Sequence, residues 1–445
     1  MTELKKKIFL LSLGCAKNLV DSENILGLLA SMNYPVVSDV VDADIAIVNT
    51  CGFLRSAVEE AIDVILDAVE KKKSGEIEKV IVTGCFVQRY GYKLKREMPE
   101  VDGWLGTGEP EKIVELVESG INTEALFYIG RPLFLADHEM PRIQTTPFYS
   151  AYLKIAEGCH HRCSYCAIPS IRGPLRSRKI QSIVAEAKAM RDRGVKEINL
   201  IAQDTTIYGA DLRTGTSIEG LLEALLLING IEWIRVLYSH PYEIKDSLLG
   251  LMNDEETIAP YLDIPFQHVN GNILKAMGRE IKGETPAELI RRIRSYNRNF
   301  SIRTTMMVGF PGETDEAFEE LFNFVKDTEF DHLGTFIFSP ENGTPAARMK
   351  GIPDRKVSEK RRDAVMKLQA DISLKKNEGM INRIIPVLVE GVSSETDLLL
   401  CGRTIRMAPD VDTRVLINKG NGVPGEIQNV LITEAHPYDL VGEIM

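Results

Sequence analysis

The chain has 445 residues, of which 44% are hydrophobic and 26% are charged, as in globular proteins of two or three domains. Its 64 acidic and 53 basic residues give a net charge of −11, which disfavours a protein built mainly to bind nucleic-acid phosphates. No stretch approaches the roughly 20 apolar residues of a membrane helix. We therefore expect a cytoplasmic protein, without membrane association, whose seven cysteines are ligands or buried thiols.

Residues 1–124 alternate between strand and helix patterns. The strand patterns are residues 8–13, 44–50 and 79–83, and each is followed by a helical pattern. The first of them is too short for the apolar core of a signal peptide and is interpreted as a strand. This alternation predicts an open parallel α/β sheet with helices on both faces.

Three cysteines follow the three predicted strands. Cys15, Cys51 and Cys85 come just past residues 8–13, 44–50 and 79–83, so all three are expected at the carboxyl edge of one sheet, where such sheets bind ligands. Three thiolates at that edge can hold three irons of a cubane iron–sulfur cluster. The alternative is three buried structural cysteines, but their common position at the strand ends favours the cluster.

Residues 125–147 are predicted to be a linker, and residues 148–375 resume the alternation of strands and helices. Six repeats of strand and helix predict a partial (β/α) barrel with its site at the carboxyl ends of the strands. The six strand patterns are residues 152–156, 197–203, 234–239, 262–267, 304–310 and 333–339.

A second group of cysteines follows the first strand of this predicted barrel. Cys159, Cys163 and Cys166 have the spacing C-x3-C-x2-C, with no fourth cysteine nearby. Three thiolates would hold three irons of a cubane cluster and leave the fourth iron open, where the amino and carboxylate groups of S-adenosylmethionine can chelate it. A zinc site completed by His160 or His161 is an alternative. A disulfide with a spare thiol would suit a secreted protein.

Residues 379–445 have short strand patterns separated by Gly, Pro and Asn, which predict a small β-barrel. The strand patterns are residues 384–390, 397–401, 414–417 and 426–434. Nine acidic and five basic residues in this region are poorly suited to phosphates but suit docking on a basic protein. Cys401 stands alone and is interpreted as a packing residue.

The sequences around the cysteines resemble the radical-SAM methylthiotransferases. Residues 12–23 (SLGCAKNLVDSE) and 48–53 (VNTCGF) are similar to the branch that modifies a ribosomal protein. The branch that modifies tRNA typically has Gly-Cys-Gln-Met-Asn and Asn-Thr-Cys-x-Ile-Arg there. Residues 156–178 match the segment shared by the superfamily, including Tyr165 before the last cysteine, and residues 379–445 resemble a TRAM domain.

This resemblance implies two [4Fe–4S] clusters, each on one set of three cysteines, together with S-adenosylmethionine. The reaction it implies adds a methylthio group to the β-carbon of an aspartate in the twelfth small-subunit ribosomal protein. One S-adenosylmethionine would supply the methyl group and another the radical. The implied partners are an electron donor such as flavodoxin or ferredoxin, and sulfide or another sulfur source. A tRNA adenosine methylthiotransferase and an iron–sulfur electron carrier are the alternatives.

Four residues are further candidates for binding S-adenosylmethionine. Tyr165 is expected to pack near the adenine, while Gln203, Gln267 and Arg303 are expected at or near the carboxyl ends of barrel strands. The guanidinium of Arg303 is suited to a bidentate contact with a carboxylate. Alternatively, these polar groups satisfy the backbone of the barrel, and Tyr165 is a core residue.

Overall fold

The structure, a computed structural model, describes residues 5–120, 125–213, 215–280, 283–296 and 299–445. The predicted domain limits at residues 1 and 124 lie outside these ranges. Within them, no helix combines the length and the apolar character required to cross a membrane.

The N-terminal region is an open sheet of five parallel strands in sequential order. Helices cover both faces of the sheet. Alternate residues of the buried second strand point to opposite faces. Ala46 and Val48 pack against the second helix, whereas Ile45 and Ile47 pack with the first and fifth helices. The predicted α/β sheet is confirmed. Its elements are β1 (Ile8–Ser12), α1 (Ala16–Ser31), β2 (Ile45–Thr50), α2 (Arg55–Ser74), β3 (Lys79–Gly84), α3 (Cys85–Tyr90), α4 (Lys93–Glu97), β4 (Gly103–Leu105), α5 (Ile113–Glu118) and β5 (Leu126–Tyr128).

The last of these strands differs from the sequence-based expectation. β5 falls inside residues 125–147, which were predicted to be a linker, and pairs in parallel with β4. Its three residues carry no periodicity that distinguishes a strand from a loop, and only pairing with β4 makes it part of the sheet.

The central region is a partial barrel of six parallel strands, as predicted. Two three-stranded sheets, β6-β9-β10 and β11-β12-β13, are joined by a bridge between Ile234 and Ile258, so β6 and β13 are the two open edges. The elements are β6 (Ser150–Lys154), β7 (Ala156–Glu157), α6 (Ile168–Arg172), β8 (Arg176–Ser177), α7 (Ile180–Asp192), β9 (Glu197–Ile201), α8 (Ile218–Leu226), β10 (Trp233–Val236), α9 (Asp246–Asp254), β11 (Tyr261–Asp263), α10 (Gly271–Ala276), α11 (Pro286–Arg294), β12 (Ser301–Val308), α12 (Asp315–Thr328), β13 (His332–Ile337) and α13 (Arg355–Glu378).

The C-terminal region is a closed five-stranded barrel in the order β14-β15-β16-β18-β17, which confirms the predicted small β-barrel. The strands are β14 (Ile384–Val392), β15 (Leu400–Arg403), β16 (Val415–Lys419), β17 (Ile427–Ala435) and β18 (Leu440–Ile444). β18 was not predicted, yet it closes the barrel by pairing with both β16 and β17. Cys401 is buried in β15, consistent with a packing role.

A buried ion cluster joins the C-terminal barrel to the central one. Glu197 of β9 pairs with Arg235 of β10 at 3.0 Å and with Arg403 of β15 at 2.7 Å, and all three side chains are buried. Burial by itself raises the pKa of Glu197, but the guanidiniums of Arg403 and Arg235 outweigh it and hold that pKa well below its usual range. The carboxyl therefore stays charged and holds the two domains together.

We expect Arg403→Met to lower the free energy of unfolding by about 3–5 kcal/mol, since removing one partner leaves buried charge uncompensated. Lys419→Met is the matched control, because Lys419 belongs to the same domain but forms an exposed pair with Glu443; its effect should stay within about 1 kcal/mol. Chemical and thermal denaturation of the two variants measure the difference. Equal effects would contradict the role given to this cluster.

Candidate functional site

The first set of cysteines lies where the parallel strands of the N-terminal sheet end. Cys15 precedes α1, Cys51 follows β2, and Cys85 is the first residue of α3. The turns are in close contact: a Cβ added to Gly14, whose φ is +94°, would lie 2.8 Å from the Cβ of Cys51. Only glycine tolerates both that φ and that approach, so the sequence neighbour of Cys15 brings these two turns together.

The environments of these three thiols differ. Burial raises the pKa of Cys85 to about 12, although the charge of Arg172 opposes the shift, and burial also raises the pKa of Cys51. For Cys15 burial acts in the same direction, but the charges of Lys17 and Arg172 outweigh it, so its pKa is lowered. Because iron is bound by thiolates, assembly of a cluster here would release protons, mainly from Cys51 and Cys85, whose pKa values are raised.

The second set lies on the loop between β7 and α6, at the carboxyl end of the first barrel strands. Gly158, with φ +80°, begins the loop, and a Cβ there would lie 2.1 Å from the carbonyl oxygen of Pro174. The backbone N–H of Cys159 donates to Gly173, and that of Cys166 donates to Cys163. The loop is thus folded back on itself, which holds its cysteines near one another.

The histidines of this loop do not complete a zinc site. Nε2 of His161 lies 2.6 Å from Oδ2 of Asp204, and its ring stacks on His240 at 4.2 Å. Across the described ranges, no three Cys, His, Asp or Glu side chains are grouped so that they could hold one metal ion.

Burial raises the pKa of Cys159 to about 11 and that of Cys166 to about 12. A nearby positive charge, Arg279, opposes both shifts. Its Nη1 also donates to the hydroxyl of Tyr165 at 3.2 Å. Tyr165 is part of the cysteine loop, and its hydroxyl already accepts a hydrogen bond from Arg279. This position is compatible with packing of the ring against a ligand and also with a role as a core residue.

Arg172 connects the two sets of cysteines. It ends α6, directly after the cysteine loop of the barrel, and its Nε and Nη2 donate to Sγ of Cys85 at 3.2 Å and 3.0 Å. Its Nη1 pairs with Asp21 of α1 at 2.5 Å and with Glu157 at 3.4 Å. One buried guanidinium therefore contacts a cysteine of the N-terminal sheet and acidic groups of both domains. Cys85 also packs with Ala167, the residue after Cys166, so the N-terminal set lies beside the segment that follows the second set.

Gln203 lies beside this network, two residues past the end of β9. Its Nε2 donates to Oε1 of Glu157 at 2.5 Å, and Glu157 also pairs with Lys154 at 2.8 Å. The other end of the amide, Oε1 of Gln203, is buried and has no hydrogen-bond partner among the described residues. An acceptor oriented in this way suits a ligand that brings a donor, such as the ammonium group of S-adenosylmethionine.

Gln267 lies, as expected, beyond the carboxyl end of β11. Its backbone has φ +69° and is bonded to Thr305 and Met307 of β12. The neighbouring strand end carries a second residue in this conformation, Tyr238 with φ +62°. Such strain in non-glycine residues gathers at functional sites.

Arg303 lies elsewhere than the sequence suggested. It is the third residue of β12, close to the start of that strand, and not at its carboxyl end. Its guanidinium pairs with Asp263 at 3.2 Å and with Asp412 of the C-terminal domain at 3.3 Å. The predicted strand at residues 304–310 already put Arg303 at an amino end, so the assignment to a carboxyl end was wrong on the strand pattern itself. Its partner Asp412 comes from a domain that strand patterns do not position.

Sequence reasoning did not assign roles to the residues that join the two sets. Asn18 and Asp21 both contact Arg172, and they follow Cys15 at positions i+3 and i+6 of a helix. Asn18 and Asp21 are three residues apart, so they lie on one face of α1. The helical periodicity after Cys15 was the available signal, whereas nothing local indicated that Arg172 would reach Cys85.

Comparison with known families accounts for the three regions. Residues 7–106 match a model described as "Uncharacterized protein family UPF0004", residues 153–325 match the radical SAM superfamily, and residues 381–445 match the TRAM domain. The fold and these matches define a radical-SAM enzyme with an additional N-terminal α/β domain and a TRAM barrel. Radical-SAM membership supports an iron–sulfur cluster and S-adenosylmethionine as its cofactors.

Relatives of known name indicate which kind of radical-SAM enzyme the chain is. The chain is 47% identical over 445 residues to the ribosomal protein uS12 methylthiotransferase RimO of Geotalea uraniireducens. The alignment covers 100% of this chain and 99% of that protein. It is 46% identical over 446 residues to the RimO of Geobacter sulfurreducens, with 100% of both chains covered. The chain belongs to the RimO family of methylthiotransferases. The family resemblance inferred from the cysteine motifs is confirmed.

A solved structure shares the fold at low sequence identity. The radical S-adenosylmethionine methyltransferase TsrM of Kitasatospora setae, solved with tryptophan and an S-adenosylmethionine analogue, matches with a TM-score of 0.55. The identity is 14%, and the match covers 87% of this chain and 79% of that one. This similarity supports the architecture alone.

We expect Gln203→Met to weaken S-adenosylmethionine binding about tenfold, the effect of losing a hydrogen bond to a charged group. Gln428→Met is the matched control, because Gln428 also has a buried, unpartnered Oε1 but lies in the C-terminal barrel. Anaerobic calorimetry on proteins of equal iron content measures both affinities. Unchanged affinity in Gln203→Met would identify Gln203 as a purely structural residue.

Proposed function

We propose that the protein adds a methylthio group to the β-carbon of an aspartate in ribosomal protein uS12. One S-adenosylmethionine would serve as methyl donor and another as radical source. The observation that supports this proposal is that one cysteine of the N-terminal set lies against the segment that follows the second set. Sγ of Cys85 accepts from Arg172 at 3.0 Å, and Cys85 packs with Ala167, the residue after Cys166. A transfer reaction needs one site that starts the radical chemistry and a second, adjacent site that supplies the transferred sulfur.

We assign one [4Fe–4S] cluster to each set of cysteines, with three thiolate ligands in each case. Cys159, Cys163 and Cys166 would hold the cluster that binds S-adenosylmethionine, and Cys15, Cys51 and Cys85 would hold the cluster that carries sulfur. When bound, these clusters supply the electron and the sulfur that no side chain can provide. Tyr165, Gln203 and Gln267 are the proposed contacts of S-adenosylmethionine, and Arg303 stays a prediction that its two carboxylate partners do not favour.

The protein's own residues close the space between the two sets. Nζ of Lys17 stands 3.2 Å from the ring centroid of Tyr238, which packs α1 onto the barrel. A second contact forms farther along the interface, where Arg89 pairs with Glu341 at 3.0 Å and both side chains are 6% exposed. These contacts exclude water from the interface, which protects a reactive intermediate from side reactions.

The protein substrate is proposed from the relatives, which are methylthiotransferases of ribosomal protein uS12. The excess of acidic over basic residues in this chain suits a basic protein partner better than tRNA. We further propose a flavodoxin or ferredoxin as electron donor, sulfide or another sulfur source, and action in the cytoplasm, where ribosomes are found. The division into residues 1–124, 125–147, 148–375 and 379–445 remains a prediction.

Anaerobic turnover tests this function. The reconstituted enzyme receives S-adenosylmethionine, sulfide and a strong reductant, and is offered uS12 and, separately, unmodified tRNA. We expect mass spectrometry to show the gain of one CH2S unit on an aspartate of uS12 and none on tRNA. A gain on an adenosine of tRNA would favour the tRNA-modifying branch instead. S-adenosylmethionine that neither binds nor is cleaved would favour an electron carrier.

Replacing single cysteines tests the assignment of two clusters. We expect Cys15→Ala to reduce the iron content from about eight to about four atoms per chain, because one [4Fe–4S] cluster loses a ligand. This variant should still cleave S-adenosylmethionine, whereas Cys163→Ala should not. Cys401→Ala is the matched control, since Cys401 is buried in the C-terminal barrel. Full iron content in Cys15→Ala would contradict the second cluster.

A further inference from the structure

A cavity of about 500 Å³ lies between the central barrel and the C-terminal barrel. It is separate from the cysteines, none of which lines it. Its walls come from β12, β13, α13 and three loops of the C-terminal domain. The residues that line it and bear on the argument are His332, Gly334, Gln369, Glu395, Asp412 and Asp439.

Two buried acceptor oxygens in this wall have no hydrogen-bond partner among the described residues. Gln369 is 1% exposed; its Nε2 donates to the carbonyl of Phe330 at 3.0 Å, while its Oε1 has no donor. Oδ1 of Asp412 has none either, although Arg303 and His332 stand 3.3 Å and 3.6 Å from it. Because both unpartnered atoms are acceptors, a ligand that completes the site must bring donors.

The charge of the cavity indicates what kind of donor fits. Four carboxylates line it, against two guanidiniums, those of Arg303 and Arg414. Arg303 is held by Asp263 and Asp412, and Arg414 donates to Ser394 at 3.2 Å, so both cations are engaged. Two of the carboxylates are also engaged, since Asp331 pairs with Lys376 at 2.8 Å and Asp439 accepts from the backbone N–H of Arg414 at 3.0 Å. Glu395 is exposed and its carboxylate makes no hydrogen bond or ion pair to a described residue. A cationic donor is therefore favoured over a neutral one.

The position of the cavity connects it to the candidate active site. It opens beside His332–Gly334 of β13, an open edge of the barrel, and Phe336, two residues further along, is 51% exposed. From Gly334 to the carboxyl end of β13 is three residues, or about 10 Å at the rise of a strand. A segment of a bound protein that runs along this edge can therefore reach both the cavity and the mouth of the barrel.

We propose that this cavity binds the guanidinium or ammonium end of an arginine or lysine side chain of the protein substrate. The bound side chain anchors a substrate segment along the edge of β13, so that a residue a few positions away lies at the mouth of the barrel. This inference rests on the proposed function for the identity of the substrate. A single cavity would then provide the binding energy, in contrast to a general attraction between an acidic and a basic surface.

Charge variants at two positions of the C-terminal domain separate a specific cavity from diffuse attraction. Glu395 lines the cavity, whereas Glu434 is exposed in β17 and does not line it. We expect Glu395→Gln to raise the Kd of the full-length enzyme for uS12 about threefold to fivefold and Glu395→Lys to raise it more than about tenfold. Glu434→Gln and Glu434→Lys should change it less than about twofold. Equal effects at the two positions would overturn the proposal.

A small probe tests the cavity without the protein substrate. L-argininamide and its neutral analogue L-citrullinamide have nearly the same shape, and only the former carries a side-chain charge. We expect calorimetry or ligand-observed NMR to show that the full-length enzyme binds L-argininamide at least about fivefold more tightly than L-citrullinamide. Glu395→Lys should abolish that preference, while Glu434→Lys retains it. Equal binding of the two amides by the wild-type enzyme would overturn the proposal.

The two experiments distinguish failure of the proposed function from failure of the proposed cavity. If the wild-type enzyme neither binds nor modifies uS12, the proposed function fails, but the preference for L-argininamide still decides whether the cavity accepts a basic side chain. If uS12 is modified while the two amides bind alike, the function stands and the cavity is not its anchor.

Discussion

One guanidinium holds the candidate active site together. Arg172 is buried between two domains and contacts Cys85 of the N-terminal sheet, Asp21 of α1 and Glu157 of the barrel. Charges removed from water are costly unless each has its partner, so this network is satisfied in only one orientation of the two domains. Lys154, which pairs with both carboxylates, adds to the constraint. That orientation places Cys85 beside the segment that follows Cys166.

A second constraint comes from the interior of the central barrel, which is polar and is completed by the other domains. Glu197 and Arg235 project into it and meet Arg403 of the C-terminal barrel. Tyr261 donates to Asp412 at 2.6 Å, and Arg303 pairs with the same carboxylate. A six-stranded barrel with two open edges cannot satisfy these groups alone. The flanking domains therefore stabilise the barrel as well as forming the site and the cavity beside it.

The central barrel contacts the N-terminal sheet and the C-terminal barrel through different parts of its structure. The carboxyl ends of the barrel strands face the N-terminal sheet. The strained residues Tyr238 and Gln267 follow two of these strand ends. The C-terminal barrel meets the opposite part of the central barrel through Glu197 and through the pair of Arg303 with Asp412. The strand ends that carry the candidate site and the surface that meets the C-terminal barrel therefore lie at different parts of the central barrel.

The sequence by itself determined most of the longer strands, the three kinds of domain and the cysteine positions, because these depend on periodicity and spacing within a few residues. It did not determine the short β5 or β18. It indicated that Cys15, Cys51 and Cys85 share a sheet edge, since parallel strands end together. Only the tertiary structure decided that Arg172 reaches Cys85 and that Arg303 pairs with Asp412. Those partners are 87 and 109 positions apart, and pairings at such separations are selected by the packing of whole domains, which no local pattern records.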